Sequence, residues 1–353
     1  METVSVIIPY HDTDPALFDA CIDSLRRQTV RASEVILVDD RSTPENAARV
    51  DETAEQLTGE GIPARAFHIA GEVGGVSRAR NVGLADATGT FVCFLDADDM
   101  WHPSFLSEML AGIRKTDADV AVCDICTVAC PADVRAGLSA VVAGAPAVRY
   151  DGPVLLRHIN AGYCTNKMYR RTAIGDIRYR EGLVLLEDAL FVAEVLDRVR
   201  NGVHVQAELY LYRKHAGATG LVMNPEKFRA AIHAADEIAD TGMVREDPDN
   251  TAARRAFRAS WRLRYMMALA DERKDGWKSV IKEQKHLYRR LDAPGIRRSN
   301  CEKIVYVGRF VTALPTVFVI LYLKMLNKVR LRHWKRIRMA WVADPESQET
   351  SLQ

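Results

Sequence analysis

The sequence predicts an α/β fold: a Rossmann-like, mostly parallel central sheet over residues 1–220, followed by a C-terminal α-helical region. Three observations predict it. Short apolar runs alternate with amphipathic segments through the N-terminal part, which is the pattern of βαβ units. Two of those runs end abruptly in aspartates, Asp39-Asp40 and Asp96-Ala97-Asp98-Asp99. From Pro225 onward strand signals give way to apolar positions at helical spacing.

The elements follow in order. Val4 to Pro9 is a nearly continuous apolar run, suited to a strand buried on both faces. Asp14 offers an N-cap and Pro15 a first helical position, and Leu17, Phe18, Cys21, Ile22 and Leu25 then recur at helical spacing. Val35 to Val38 is the second strand, Pro44 to about Leu57 a helix, and Ala64 to Ile69 a third strand. The turn Gly71 to Gly75 leads into a helix over Ser77 to Ala87, and Phe91 to Leu95 is the next strand. Val120 to Cys123 reads as a buried strand, residues 131–182 as connecting strands and loops, Leu183 to Arg198 as helical in its later part, and His204 to Tyr212 as a strand.

Composition excludes several classes. Of 353 residues, 48% are hydrophobic and 27% charged, as in globular domains, and the net charge of +1 hides a basic C-terminal stretch. Met1 leads into an apolar run too short for a signal-peptide core, and the seven cysteines are scattered and odd in number. Together they predict a cytoplasmic protein with reduced thiols. Cys123, Cys126, Cys130 and Cys164 could supply four ligands, but no second pair at zinc spacing follows, so packed thiols are expected. The first strand is followed by Tyr10-His11-Asp12-Thr13-Asp14 in place of G-x-G-x-x-G, which argues against a dinucleotide-dependent oxidoreductase. No nucleic-acid-binding module is recognisable.

Ligands of open α/β sheets bind beyond the carboxyl ends of the strands. Tyr10-His11-Asp12, Asp39-Asp40 and Asp96 to Asp99 all fall at that edge. Carboxylates gathered there repel one another unless a cation or hydrogen-bond donors offset them. Asp-x-Asp oxygens suit Mg²⁺ or Mn²⁺, ions that commonly bridge to phosphates.

Four segments carry a family resemblance: Ser5-Val-Ile-Ile-Pro-Tyr-His-Asp12, Val35-Ile-Leu-Val-Asp-Asp-Arg-Ser-Thr43, Gly75-Val-Ser-Arg-Ala-Arg-Asn-Val-Gly-Leu84 and Phe94-Leu-Asp-Ala-Asp-Asp-Met-Trp101. In this order they resemble the motifs of family 2 glycosyltransferases, which have the GT-A fold. Fainter matches continue through Leu186-Glu-Asp-Ala-Leu-Phe191 and Tyr212-Arg-Lys-His215. The resemblance implies a nucleotide pocket lined by Pro9, His11 and Asp12, although the family more often has Tyr-Asn where His11-Asp12 stand. It implies that Asp39 accepts a hydrogen bond from the base, typically uracil, and that Arg80 and Arg78 face the diphosphate side. Asp96 would contact the ribose, and Asp98 would bind the Mn²⁺ or Mg²⁺ that holds the diphosphate, with His215 completing the metal site. Asp99 is the weakest of the three acids. Asp188 would be the general base of a single inverting displacement. The acceptor would be a hydroxyl of a polysaccharide, wall polymer or lipid-linked glycan. A non-catalytic nucleotide-sugar-binding scaffold on the same fold is the alternative, and it would need a broken acid set; Asp39, Asp96, Asp98 and Asp188 are all present.

Residues 221–300 read as helical without a family signature, and 301–353 as an apolar and basic helical tail. Phe310 to Leu323 is mostly apolar but falls short of the roughly 20 residues needed to span a bilayer. Lys324, Lys328, Arg330, Arg332, Lys335, Arg336 and Arg338 follow, interleaved with Leu331, Trp334, Ile337 and Trp341. This pattern predicts an interfacial helix drawn to an anionic membrane surface, in preference to an interface in a homo-oligomer.

Overall fold

The structure, a computed structural model, describes residues 2–71, 74–129, 134, 136–138, 144–150, 162–199, 201–214, 224–241, 251–272, 275–292 and 303–342. The chain runs β1 (Val4–Tyr10), α1 (Pro15–Arg26), β2 (Glu34–Asp39), α2 (Pro44–Gly59), β3 (Ala64–His68), α3 (Val76–Asp86), β4 (Phe91–Phe94) and β5 (Met100–Trp101). It continues with α4 (Phe105–Thr116), β6 (Val120–Val128), β7 (Ala147–Tyr150), β8 (Lys167–Arg170), α5 (Arg171–Ile174), α6 (Glu187–Arg198) and β9 (Gly202–Arg213). Among the described residues there follow α7 (Pro225–Asp240), α8 (Thr251–Glu272), α9 (Trp277–Leu287) running on into a π-helical turn (Tyr288–Asp292), α10 (Lys303–Val311) and α11 (Thr316–Val342).

The strands form one sheet in the order β3-β2-β1-β4-β8-β6-β9-β5, with β7 paired to β9. Strands β1 to β4 pair in parallel, as their continuous apolar runs require. Antiparallel pairing enters with β8, β5 and β7, while β6 and β9 run parallel across a register shift near Asp124. The break in strand order between β1's two neighbours, β2 and β4, leaves a crevice at the carboxyl edge.

Side-chain alternation divides the core into two layers. Val6 and Ile8 of β1 face α1, α2 and α4, meeting Phe18, Ile22, Leu57 and Met109. Ile7 faces α3 and α6, in a layer with Ala79, Leu84, Phe191 and Val195. Each fully buried side chain of this kind contributes about 1.5–3 kcal/mol. Asp14 caps α1 by accepting from the Ala16 and Leu17 amides, and Pro15 opens the helix as expected. Helix α3 lies close on β1, because a Cβ added at Gly83 would stand 2.4 Å from Cγ2 of Ile7.

A third apolar cluster joins the C-terminal helices, through Phe228 and Ile232 of α7, Leu263 and Met266 of α8, Ile281 of α9, and Val319 and Leu323 of α11. Helix α7 spans both regions, since its Ala234 and Ile238 belong to the α3–α6 layer. The apolar run near residue 310 is not one helix. It breaks between α10 and α11, where Pro315 starts a new helix as its missing N–H allows. Among the described residues, no helix is long and apolar enough to cross a membrane.

Candidate active site

The loops after β1 and β2 and the start of α6 share a backbone signature. Asp12 (φ 41°), Arg41 (φ 60°) and Leu186 (φ 69°) all adopt the left-handed conformation that side chains disfavour. Asp12 is held there by its neighbours: Oδ1 accepts from the Thr43 amide, the Thr43 hydroxyl and Asn46 Nδ2, and its own amide donates to Ser42 Oγ. The bond from Asn46, followed by that from Thr43, holds its carboxyl below the ordinary range. Asp12 therefore ties the β1 loop to the first turn of α2. His11 is exposed, with Nδ1 2.7 Å from the Asp40 carbonyl, and Pro9 is buried within β1.

Asp39 and Asp40, at the end of β2, are both buried but serve different neighbours. Asp39 accepts from the Ser42 amide at 3.1 Å and lies 3.0 Å from Nδ1 of His68. Asp40 accepts from the Gly75 amide at 2.6 Å, fixing the turn that opens α3. A Cβ at Gly74 would fall 2.1 Å from Asp40 Oδ1, so this approach requires glycine.

The centre of the site is Arg80. It sits on α3, 2% exposed, and points into the crevice between β4 and α6. One guanidinium nitrogen donates to Asp188 Oδ1 and another to Asp96 Oδ1 at 2.8 Å, while Glu187 Oε1 lies 3.6 Å away. The Tyr179 ring packs 5.3 Å from the guanidinium carbon and stacks in turn on Phe191 of α6. Asn81 and Tyr179 exchange side-chain and backbone hydrogen bonds, which pins that ring to α3. Arg80, expected along the diphosphate side, is enclosed among carboxylates. Arg78 is half-buried in the first turn of the same helix.

One buried cation here faces three acids. Burial pushes Glu187 up, and the neighbouring Asp188 charge adds to that while Arg80 opposes it. Asp96 keeps 32% of its side chain open, yet loss of hydration raises it to about 6, with Arg80 opposing and the charges of Asp188 and Asp98 adding. Asp188 also accepts from the Cys164 amide at 3.4 Å. Helix α6 begins at these acids, and its positive end favours them.

Asp98 and Asp99 part ways. Asp99 is 2% exposed and accepts from the Tyr210 hydroxyl at 2.6 Å and the Arg213 amide at 2.8 Å, so it joins β4 to β9. Burial, then the charges of Asp98 and Asp96, push its carboxyl well up. Asp98 remains half-buried. Its carbonyl accepts from Nε of Arg213, a buried residue that also donates to the Leu17 carbonyl of α1. His215 and Cys130 lie outside the described residues. Cys123 and Cys164 are buried free thiols, with Cys123 Sγ 3.6 Å from the Asn166 carbonyl.

This sheet, and the acids at its carboxyl edge, coincide with a known domain. The family model described as glycosyl transferase family 2 matches residues 5–178. The chain carries a glycosyl transferase family 2 domain. It is 36% identical over 120 residues to the uncharacterized glycosyltransferase EpsJ of Bacillus subtilis, across 34% of this chain and 33% of that one. The chain thus matches about a third of that relative's length. Among solved structures, S. aureus TarS 1–349 in complex with UDP-GlcNAc superposes with a TM-score of 0.59 at 19% identity, covering 94% of this chain and 92% of that chain. The mannosyltransferase PcManGT from Pyrobaculum calidifontis, in complex with GDP-Man and Mn²⁺, gives 0.53 at 14% identity, covering 92% and 86%. At such identities these likenesses establish the GT-A fold alone.

The fold brings Asp96, inside the matched residues, and Asp188, beyond them, onto one guanidinium, and the charge of Asp98 acts on Asp96. Asp39, at the end of β2, and Asp12, in the loop after β1, bond to the Ser42–Thr43 turn. The donor set suits a divalent cation: Asp98 is a half-buried carboxylate in a site where acids outnumber cations. Among the described residues no group of three His, Cys, Asp or Glu side chains is arranged to hold a metal unaided. Sequence reasoning missed Arg213, Tyr179 and Lys167. Lys167 is 1% exposed and donates to the Tyr163 carbonyl and Asn166 Oδ1, and burial lowers its amine to about 8. Arg213 was within reach, because it lies inside the matched segment Tyr212 to His215.

Proposed function

We propose that this protein is an inverting glycosyltransferase that moves a sugar from a nucleoside diphosphate, UDP in the first instance, to a hydroxyl acceptor. The observation that carries the reading is the double engagement of Arg80. It ties Asp188, at the start of α6, to Asp96, at the end of β4, so an acid from outside the nucleotide edge is held against that edge.

In this reading Asp188 takes the proton of the acceptor hydroxyl as its oxygen attacks the anomeric carbon. Arg80 holds and aims that carboxylate. Asp39 accepts the imide N–H of the base; an ionised carboxylate has about four acceptor sites, and Ser42 and His68 occupy two of them. Pro9, His11 and Asp12 line the base and ribose pocket with Asp96, and Arg78 reaches the diphosphate. Asp98 and His215 would hold Mn²⁺ or Mg²⁺, which supplies charge stabilisation to the departing diphosphate. The acceptor class is a polysaccharide, wall polymer or lipid-linked glycan, and residues 1–220 form the catalytic domain.

The test is calorimetric titration with UDP, with and without Mn²⁺, on the full chain and on Asp98→Ala. Metal-dependent binding that disappears in the variant supports the reading. Metal-independent binding of equal strength in both proteins refutes the role of Asp98, and failure of UDP and other nucleoside diphosphates alike refutes the donor assignment.

A further inference from the structure

Helix α11 has two apolar faces, and its packing uses only one. Val319 and Leu323 are fully buried against α8, Asn327 donates to the Met267 carbonyl at 3.0 Å, and Lys285 of α9 donates to the Leu314 carbonyl at 2.6 Å. Those contacts fix the rotation of the helix. The opposite side then presents Leu314, Val317, Phe318, Leu321, Met325 and Val329 to solvent, each between 46% and 57% exposed. Phe310 of α10 is exposed as well, at 54%. Of the twelve large apolar side chains exposed among the described residues, seven fall within these twenty positions of the chain, so this is a patch and not scatter.

Charge identifies what covers it. Lys324 and Lys328 are exposed on the same side of α11 as Leu321 and Met325. From Lys303 to Ala343 the sequence holds no Asp or Glu, while Arg330, Arg332, Lys335, Arg336 and Arg338 continue the basic series and Trp334 and Trp341 punctuate it. A second copy of this chain docking the same face would set lysine against lysine, which is costly across an interface. An anionic bilayer surface meets both requirements, taking the apolar row into the acyl boundary and the cations at the headgroups. No described helix can span the bilayer, so the helix lies in its plane.

We propose that the solvent face of α10 and α11 is a membrane-docking surface that seats the protein on an anionic lipid leaflet. The surface is remote in sequence from the acid cluster, so its test is independent of the donor reading.

The experiment is co-sedimentation of the full chain with vesicles of phosphatidylcholine alone and of phosphatidylcholine with phosphatidylglycerol, at low and high salt. Binding is expected with phosphatidylglycerol and should weaken as salt screens the lysines. Phe318→Glu combined with Leu321→Glu should abolish it, and Lys324→Glu with Lys328→Glu should weaken it roughly tenfold or more. Both variants should keep the melting temperature and UDP affinity of the parent, because these side chains are exposed and none belongs to the apolar cluster of the C-terminal helices. The proposal is overturned if the parent stays in solution with anionic vesicles, or if the Phe318/Leu321 variant sediments as well as the parent. It is also overturned if the parent ignores lipid and sediments in the ultracentrifuge as a dimer that this variant dissociates; the face would then cover a second copy.

Discussion

Arg80 stands 108 residues before Asp188 in the chain, and its buried guanidinium donates directly to that carboxylate. The same group reaches Asp96, so a single side chain on α3 joins the end of β4 to the start of α6. Removing it leaves three partly exposed acids without their counter-charge, which costs less than the roughly 3–5 kcal/mol of a fully buried pair. Arg80→Met should therefore lower the melting temperature. Arg80→Lys should keep more of the stability but lose the paired geometry. In Arg80→Lys turnover should fall while donor affinity is retained, because the Asp188 carboxylate loses its fixed aim. Unchanged turnover would show that Arg80 has no part in positioning the base.

Glu187 has the opposite sign. Its folded-state affinity for a proton is raised above the ordinary value of 4.5, by burial first and by Asp188 next. The unfolded chain ionises near that ordinary value, and the folded chain resists. Glu187 thus destabilises the fold increasingly as pH rises above 4.5 toward neutrality. Glu187→Gln should raise the melting temperature at pH 7 more than at pH 5. A gain that is equal at both values would mean that Glu187 ionises freely in the fold.

Glu34 supplies a contrast from the other edge of the sheet. Burial would raise its carboxyl, but bonds from Ser5, Thr88 and Arg65 outweigh that and hold it at about 2. Its stabilisation is complete above pH 4.5 and is lost as pH falls toward 2. The difference in melting temperature between the parent and Glu34→Gln should be largest near neutrality and shrink across that acid window. A constant difference would contradict it.

Gly83 tests the packing that presents Arg80. A methyl group there would overlap Ile7 Cγ2 at 2.4 Å, and Ile7 is fully buried with a stiff branched side chain. Alanine is ordinarily better than glycine inside a helix by about 0.8–1.0 kcal/mol. Gly83→Ala should nonetheless destabilise the protein by about 1–3 kcal/mol, with reduced donor turnover as α3 shifts. A stabilised variant would show that α3 is not tightly seated on β1.

The parallel half of the sheet was legible in the sequence because its signals are local. Runs such as Val35 to Val38 announce strands by composition, and Asp14-Pro15 announces a helix start by capping chemistry. The acids were legible for the same reason: Asp39, Asp96 and Asp98 follow directly on apolar runs. The antiparallel additions were not. Lys167–Arg170 and Met100–Trp101 are short, and their place in the sheet depends on long-range pairing with β4, β6 and β9. The partners of Arg80 were not legible either, since the sequence does not show which carboxylates of α6 and of the β4 end come to meet α3. Arg213 carried no role in the sequence beyond its place in Tyr212 to His215, and it donates to the carbonyls of Asp98, Asp99 and Leu17.

The central claim is that Asp188, held by Arg80, is the base of a sugar transfer. The most direct measurement is UDP release from UDP-GlcNAc, with water as acceptor, by the full chain and by Asp188→Asn at matched donor occupancy. The account predicts a loss of about 10²–10⁴-fold in rate with donor affinity retained. A variant that binds and turns over the donor like the parent would contradict it.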